Sequence, residues 1–340
     1  MEPRWWTGTP AIPPERFTID CSGYRMNAAD LAPGSDLDRR MNDIFDDVGL
    51  VHLINTGLTD LQAMRAAAML VVKTQVEYEG GSNPRDAHEP NVYEVGAPLN
   101  AWLHYHHEMA YIGHSTKMLG FLCKHALEGR GHTYVSDNIG ATNAILATEF
   151  GQKLKRLGLC YQRDLTDRDA FEGRQEIGVY NHWQKSMMTE DPDEAAEIAR
   201  SKGLEVEWGP GRLLKTRYYI SAFEYFEPLD RNLLYSSVAD DGIWFDTWPL
   251  VQHLPNEQRP LKLTFGDGTE MTREEKQLFI DVYDNHGIPI EWKEGEVAVV
   301  CNYRFAHGRP AVHLASGEQR ELGVLIGNSY ERRGDLDGKW

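Results

Sequence analysis

The sequence contains little cysteine, no long apolar run and a deficit of positive charge. Its four cysteines are scattered over 340 residues without a C-x-x-C pair, which predicts free buried thiols in a reducing compartment. No stretch approaches 18 consecutive apolar residues, and the N-terminus lacks the basic and apolar regions of a signal peptide. We therefore expect a cytoplasmic protein without a membrane partner.

The charge balance bears on the class of partner. Lys and Arg number 35 against 52 Asp and Glu, for a net charge of −17. Nucleic-acid binding needs a surplus of cations to neutralise phosphates, so we expect no nucleic-acid partner. Hydrophobic residues make up 41% and charged residues 26%, which is typical of a folded globular protein. A small molecule is the expected partner, and the oligomeric state stays open, a homo-oligomer included.

Hydrophobic periodicity predicts a few helices among many separated strands. Helices are expected at 36–48, 59–72, 141–157, 191–202 and 273–286, and the main strands at 49–54, 103–111, 213–223, 244–248, 297–303 and 320–326. Strands and helices do not alternate regularly, which argues against a doubly wound sheet. We predict one mainly β (α+β) domain over 1–340, with N-terminal helices at 36–75, a β core at about 76–330 and a helical insertion at about 141–203.

The densest group of potential metal ligands lies at 103–109. On a strand, His106 and Glu108 would project to one face with His104 beside them. A His-x-carboxylate pair and a distant second His can cover one face of Fe(II) and leave three positions open. A chain with 13 His and this acidic content would contain such a pair by chance, so the pair needs further support.

A second group of functional side chains lies near the C-terminus. A buried-strand pattern at 296–303 leads to His307, and a returning strand carries Arg320 beside Leu322 and Val324. A guanidinium among apolar neighbours is costly unless it meets an anion. Either a buried acidic residue pairs with Arg320, or its planar fork binds a dicarboxylate ligand.

Several motifs together resemble the TauD/TfdA family of Fe(II)/2-oxoglutarate-dependent dioxygenases. They occur in chain order between about residues 36 and 327 and comprise the loop 78–85, His106-x-Glu108, the segment 129–137, the turn 265–268, Asn302-x4-His307-Gly308-Arg309 and Arg320. Most members have Asp at the position of Glu108, whereas clavaminate-synthase-like members have Glu there. The resemblance implies a double-stranded β-helix, or jelly roll, with helices around it.

The resemblance also implies site residues and a reaction. His106, Glu108 and His307 would bind Fe(II), and Thr133 and Arg320 would bind 2-oxoglutarate, with Arg320 on the distal carboxylate. The expected reaction consumes O2, hydroxylates an unactivated C–H bond of a small polar, amino-acid-like metabolite, and releases succinate and CO2.

For the substrate, Arg85 and Arg304 are candidate anion-binding residues. Taurine-type members carry a second Arg four positions after the cofactor Arg, where this chain has Val324, so we do not expect taurine as the substrate. Glu108 also argues against a halogenase, which needs a small residue there so that chloride can bind iron.

Two alternatives stay open. A cupin-type metal dioxygenase independent of 2-oxoglutarate could use His104, His106, Glu108 and His307, although Thr133 and Arg320 would then have no role. A non-catalytic protein of the same fold is the other alternative. The presence of all the proposed ligands and both cofactor contacts counts against it.

Overall fold

Seven α-helices and seventeen β-strands lie in the part of the chain that the structure, a computed structural model, describes. That part comprises residues 4–6, 8–76, 87–89, 92–93, 99–170, 182–239, 252–255 and 259–340, with only the backbone at 87–89. The loop 78–85, with the candidate Arg85, and the expected strand at 244–248 lie outside the described residues. None of the described helices combines the length and apolar character needed to cross a bilayer.

Helices and strands are interspersed along the chain. The helices are α1 (Asp36–Val48), α2 (Leu61–Val72), α3 (Asn138–Leu146), α4 (Glu149–Leu157), α5 (Trp183–Met187), α6 (Pro192–Ser201) and α7 (Arg273–Asn285). The strands are β1 (Thr18–Asp20), β2 (Leu50–Ile54), β3 (Ala87–Glu89), β4 (Val92–Tyr93), β5 (Leu103–His106), β6 (His114–His125), β7 (Thr133–Asp137), β8 (Leu159–Leu165), β9 (Glu205–Gly209), β10 (Leu213–Ile220), β11 (Phe223–Phe226), β12 (Arg231–Leu234), β13 (Leu261–Phe265), β14 (Gly287–Ile290), β15 (Val297–Cys301), β16 (Phe305–Arg309) and β17 (Glu321–Glu331).

Two sheets enclose the central cavity. The larger has the strand order β1-β2-β15-β6-β17-β4-β3, and the smaller has the order β14-β7-β16-β5. Phe121 and Val324 from the larger sheet line the same cavity as Thr133 and His307 from the smaller one, so the two sheets face each other across it. This arrangement confirms the predicted fold, which is mainly β with flanking helices and built as a double-stranded β-helix.

The N-terminal helices cover the larger sheet. The Ser35 hydroxyl accepts the Asp38 N–H at the start of α1, and Gly49 ends that helix in the left-handed conformation that glycine adopts easily. Helix α2 begins after Asp60, whose carboxylate accepts the Ala63 N–H, and packs against β6 and β15. The predicted helices at 36–48 and 59–72 are confirmed with small changes of boundary.

The expected single helix over 141–157 is wrong, because two helices occupy this stretch. Helix α3 ends at Leu146, and Thr148 begins α4 by accepting the Gly151 N–H with its hydroxyl. The same hydroxyl donates to the Ile145 carbonyl, so one side chain both ends and starts a helix. The segment predicted as a helical insertion also contains β8, which pairs with β10 and β13 in a third sheet.

Candidate active site

His106, Glu108 and His307 lie together between the two main sheets. His106 is the last residue of β5 and is paired directly with His307 in β16, so the two rings lie 4.2 Å apart. The closest approach of Glu108 to His307 is 3.9 Å between Oε2 and Nε2. The potential ligand atoms of the three residues lie within 4.8 Å of one another, and all three residues are buried. Such a group could hold a metal ion.

Gly308 allows the two histidine-bearing strands to approach each other. A Cβ atom at this position would lie 2.6 Å from the Leu103 carbonyl oxygen, closer than real Cβ atoms come to backbone. Any larger residue would therefore push β16 away from β5. The glycine after His307 thus has a packing reason that is independent of any ligand.

The prediction that Glu108 lies on a strand is wrong, because β5 ends at His106. The glutamate sits in a turn that Asn302 holds from both sides. The Asn302 side chain accepts the Glu108 N–H (2.9 Å) and donates to the Glu108 carbonyl (3.1 Å). The Ser115 hydroxyl donates to the same carbonyl (2.9 Å). The next residue, Met109, has φ 57°, in the left-handed region. The carboxylate therefore reaches the imidazoles from a turn fixed by side chains, not through strand alternation.

His104 does not join the three potential ligands. Its ring packs against Trp5 and Trp102, with centroids 6.0 and 5.8 Å away. Burial lowers the pKa of His104 to about 3, so the ring is neutral. Its carbonyl lies 2.8 Å from His106 Nδ1, which must be the protonated nitrogen because a carbonyl only accepts. The four-ligand arrangement of the cupin alternative is not formed.

A cavity adjoins the three residues. Its lining combines the potential ligands with the two predicted cofactor contacts and several apolar side chains: Leu103, His106, Glu108, Phe121, Thr133, His307, Gly308, Arg309, Arg320, Leu322 and Val324. Residues from distant parts of the sequence thus meet at one site, and Thr133 and Arg320 lie where the family resemblance implied.

Arg320 reaches this cavity from the loop before β17. Its Nε and Nη2 donate to the Gly131 carbonyl (3.1 and 2.9 Å), and burial lowers the pKa of the guanidinium. The neighbouring acidic residues Glu318 and Glu321 pair with Arg130 and Lys124. Within the described ranges, no carboxylate forms an ion pair with Arg320, so the buried acidic partner considered above is not found there.

A glycine at position 131 is needed for the contact between its carbonyl and Arg320. It has φ 75°, which favours glycine, and a Cβ atom there would lie 3.0 Å from Arg320 Nε. The glycine therefore lets its carbonyl hold the guanidinium without a clash.

The other arginines that the sequence singled out are held by backbone carbonyls. Arg309 lines the cavity, but its Nη1 donates to the carbonyls of Leu99 (3.0 Å) and Ala101 (2.9 Å). Arg304 donates to the Asp47 carbonyl near the end of α1 (2.6 Å) and does not line the cavity.

Sequence reasoning missed Trp292, which donates its indole N–H to the Thr133 hydroxyl (2.9 Å). The two residues are far apart in the chain, and no local pattern marks a tryptophan as the partner of a particular threonine. Asn302 was noticed only as part of a motif, and its hold on the Glu108 turn was not predicted.

Comparison with known proteins places the chain in a family. The model of the "Taurine catabolism dioxygenase TauD, TfdA family" matches residues 22–325. No curated protein matches the chain. Among solved structures, AAD-2 in complex with Mn(II) and N-oxalylglycine is similar at 14% identity and a TM-score of 0.49, covering 93% of this chain and 95% of that one.

A taurine dioxygenase from Burkholderia xenovorans is similar at 12% identity and a TM-score of 0.48, covering 92% of this chain and 91% of that one. Because both TM-scores are below 0.5, the assignment rests on the match to the family model. The chain therefore belongs to the TauD/TfdA family and is a dioxygenase that uses Fe(II), 2-oxoglutarate and O2.

Proposed function

We propose that this dioxygenase hydroxylates an unactivated C–H bond of a small polar, amino-acid-like metabolite, with His106, Glu108 and His307 as its iron ligands. The observation that carries the proposal is the meeting of these three residues with Thr133 and Arg320 around one cavity.

The donor set fits Fe(II). Two imidazoles and one carboxylate are the ligands of facial non-haem iron sites, which leave positions open for co-substrates. The His104 carbonyl fixes the proton of His106 on Nδ1, which leaves Nε2 as the ligand atom. Asn302 holds the turn that carries Glu108, so the carboxylate is oriented before metal binds.

The remaining polar groups fit a dicarboxylate oxoacid. Arg320 keeps N–H groups that Gly131 does not occupy, and these would donate to the distal carboxylate together with the Thr133 hydroxyl. When bound, Fe(II) and 2-oxoglutarate supply the oxidation, in which O2 is consumed and succinate and CO2 are released. Leu103, Phe121 and Leu322 line the same cavity, and their apolar side chains would limit the access of water to the reacting atoms.

The test is metal binding by ligand variants of the full chain under anaerobic conditions. His307→Ala should lose most of its Fe(II) affinity, because one of three protein ligands is removed, and it should lose turnover coupled to succinate. His313→Ala is the matched control, since His313 is exposed and does not line the cavity. Wild-type Fe(II) affinity in His307→Ala would show that the ligand assignment is wrong.

A further inference from the structure

Trp292 touches the proposed cofactor site without lining the cavity itself. It lies between β14 and β15 and is 6% exposed. Its indole Nε1–H donates to the hydroxyl of Thr133, which is buried in the cavity wall near Arg320.

The chemistry of the two groups fixes the direction of this hydrogen bond. An indole N–H can only donate, whereas a hydroxyl has one hydrogen to donate and two lone pairs to accept. The Thr133 oxygen must therefore accept from Trp292 and keep its own hydrogen for another partner. No acceptor for that hydrogen is found among the residues that the structure describes, so it is available to a ligand in the cavity.

The indole is itself fixed by its surroundings. The His52 ring meets it edge-on, with centroids 5.6 Å apart, and Phe121 packs at 6.4 Å. The carboxylate of Glu296 lies 3.1 Å from His52 Nε2 and accepts the N–H of Lys293, the residue after Trp292 (3.0 Å). This buried arrangement leaves the indole N–H little freedom to turn away from Thr133.

We infer that Trp292 is a positioning residue that makes Thr133 a hydrogen-bond donor to the distal carboxylate of 2-oxoglutarate. The inference rests on the proposed function, because it needs that carboxylate beside Arg320. Without the indole, the hydroxyl could rotate and direct a lone pair at the carboxylate, which repels it. The contact of Trp292 with Thr133 therefore favours an oxoacid with a distal carboxylate over one that ends in an apolar group.

The experiment titrates Mn(II)-loaded protein with two oxoacids and follows binding by calorimetry. 2-Oxoglutarate carries the distal carboxylate, whereas 2-oxovalerate has the same chain length and ends in a methyl group. Trp292→Phe should weaken 2-oxoglutarate binding about tenfold and leave 2-oxovalerate binding unchanged, since a hydrogen bond to a charged group is worth about 1.5 kcal/mol or more. Trp183→Phe is the matched control, a buried tryptophan that packs on Trp208 away from the cavity.

A double-mutant cycle separates positioning from general packing. Thr133→Val should weaken 2-oxoglutarate binding, and adding Trp292→Phe to it should cause no further loss. Equal weakening of both oxoacids by Trp292→Phe, or additive effects in the double variant, would overturn the inference alone. Absence of 2-oxoglutarate binding to the wild-type Mn(II) protein would overturn the proposed function as well.

A measurement on the wild-type indole covers the case in which Trp292→Phe does not fold. In the Zn(II)-loaded protein, the Trp292 indole N–H resonance should move when 2-oxoglutarate is added, because a carboxylate that accepts from Thr133 polarises the neighbouring hydrogen bond. 2-Oxovalerate should leave the resonance in place. The same displacement with both oxoacids contradicts the inference.

Discussion

Arg320 is held by a backbone carbonyl and also presents N–H donors to the cavity. Two of its N–H groups donate to the Gly131 carbonyl, and its remaining donors face a cavity that also contains the potential metal ligands. Arg320 is half-buried, and no carboxylate among the described residues forms an ion pair with it, so an anionic ligand would relieve the cost of removing its charge from water. From the residues alone, a buried acidic partner and a dicarboxylate ligand were both open for Arg320, and the family resemblance favoured the ligand. The sequence could not predict that the Gly131 carbonyl orients the guanidinium from the loop before β17.

Removing the Arg320 guanidinium should raise the KM for 2-oxoglutarate. Arg320→Ala loses a charge-assisted contact worth about 2–3 kcal/mol, which corresponds to a KM increase of roughly 30- to 150-fold. Arg320→Lys should recover only part of this loss, because an ammonium group cannot donate as a planar fork. Steady-state kinetics with varied 2-oxoglutarate measure both effects.

Arg304→Ala is the control for this prediction, since Arg304 contacts the Asp47 carbonyl and does not line the cavity. Its KM for 2-oxoglutarate should equal that of the wild type. If Arg320→Ala also keeps the wild-type KM, Arg320 is structural and the oxoacid binds elsewhere.

At the scale of elements, the site depends on where β5 ends. The alternating pattern extended the strand to residue 111, yet β5 stops at His106, and the turn after it carries Glu108. Alternation indicates which side chains share a face. It does not show where a strand ends and side-chain hydrogen bonds replace the backbone hydrogen bonds between strands. Asn302, far along the chain, provides those contacts, and such long-range capping leaves no local signal. The break between α3 and α4 has a different origin, because Thr148 lies next to it in sequence.

Asn302→Ala should weaken Fe(II) binding although Asn302 is not a proposed ligand. The variant frees the Glu108 turn, and loss of groups that orient metal ligands lowers metal affinity by about 10- to 100-fold. It also leaves buried polar groups unpaired, so the free energy of unfolding should fall by about 1–3 kcal/mol. Anaerobic Fe(II) titration and thermal unfolding measure the two effects.

Asn42→Ala separates the two effects. Asn42 links α1 to α2 through the Asp38 and Leu70 carbonyls, away from the cavity. It should lower stability and leave Fe(II) affinity unchanged. Equal Fe(II) affinity in Asn302→Ala and the wild type would show that the Glu108 turn does not depend on this side chain.

For the whole molecule, the sequence predicted the class of fold and the family, whereas the spatial relations came from the structure. The resemblance to the family implied that His106, His307, Thr133 and Arg320 would meet, and they line one cavity. Their roles as ligands and cofactor contacts, and the extent of the single domain, stay predictions. The register that pairs His106 with His307 arises from contacts between strands about 200 residues apart, which local periodicity cannot encode.

The substrate prediction also belongs to this scale, because it depends on the cavity lining as a whole. The described lining contains two cations: Arg309 is bound by backbone carbonyls, and Arg320 is assigned to the oxoacid. Val324 is buried in the lining at the position where taurine-type members carry a second Arg, and it cannot pair with a sulfonate. Burying that anion without a partner is costly, so taurine should be oxidised poorly or not at all.

A panel of sulfonates, amino acids, betaines and phosphonates tests the substrate prediction, with succinate released per substrate oxidised as the readout. Amino-acid-like compounds should couple succinate release to their own oxidation most closely, whereas taurine should give succinate with little oxidised product. The Arg320→Ala variant at saturating 2-oxoglutarate should keep the same ranking, because Arg320 is assigned to the co-substrate. Taurine coupling equal to that of the best compound would show that the charge at position 324 does not determine the substrate.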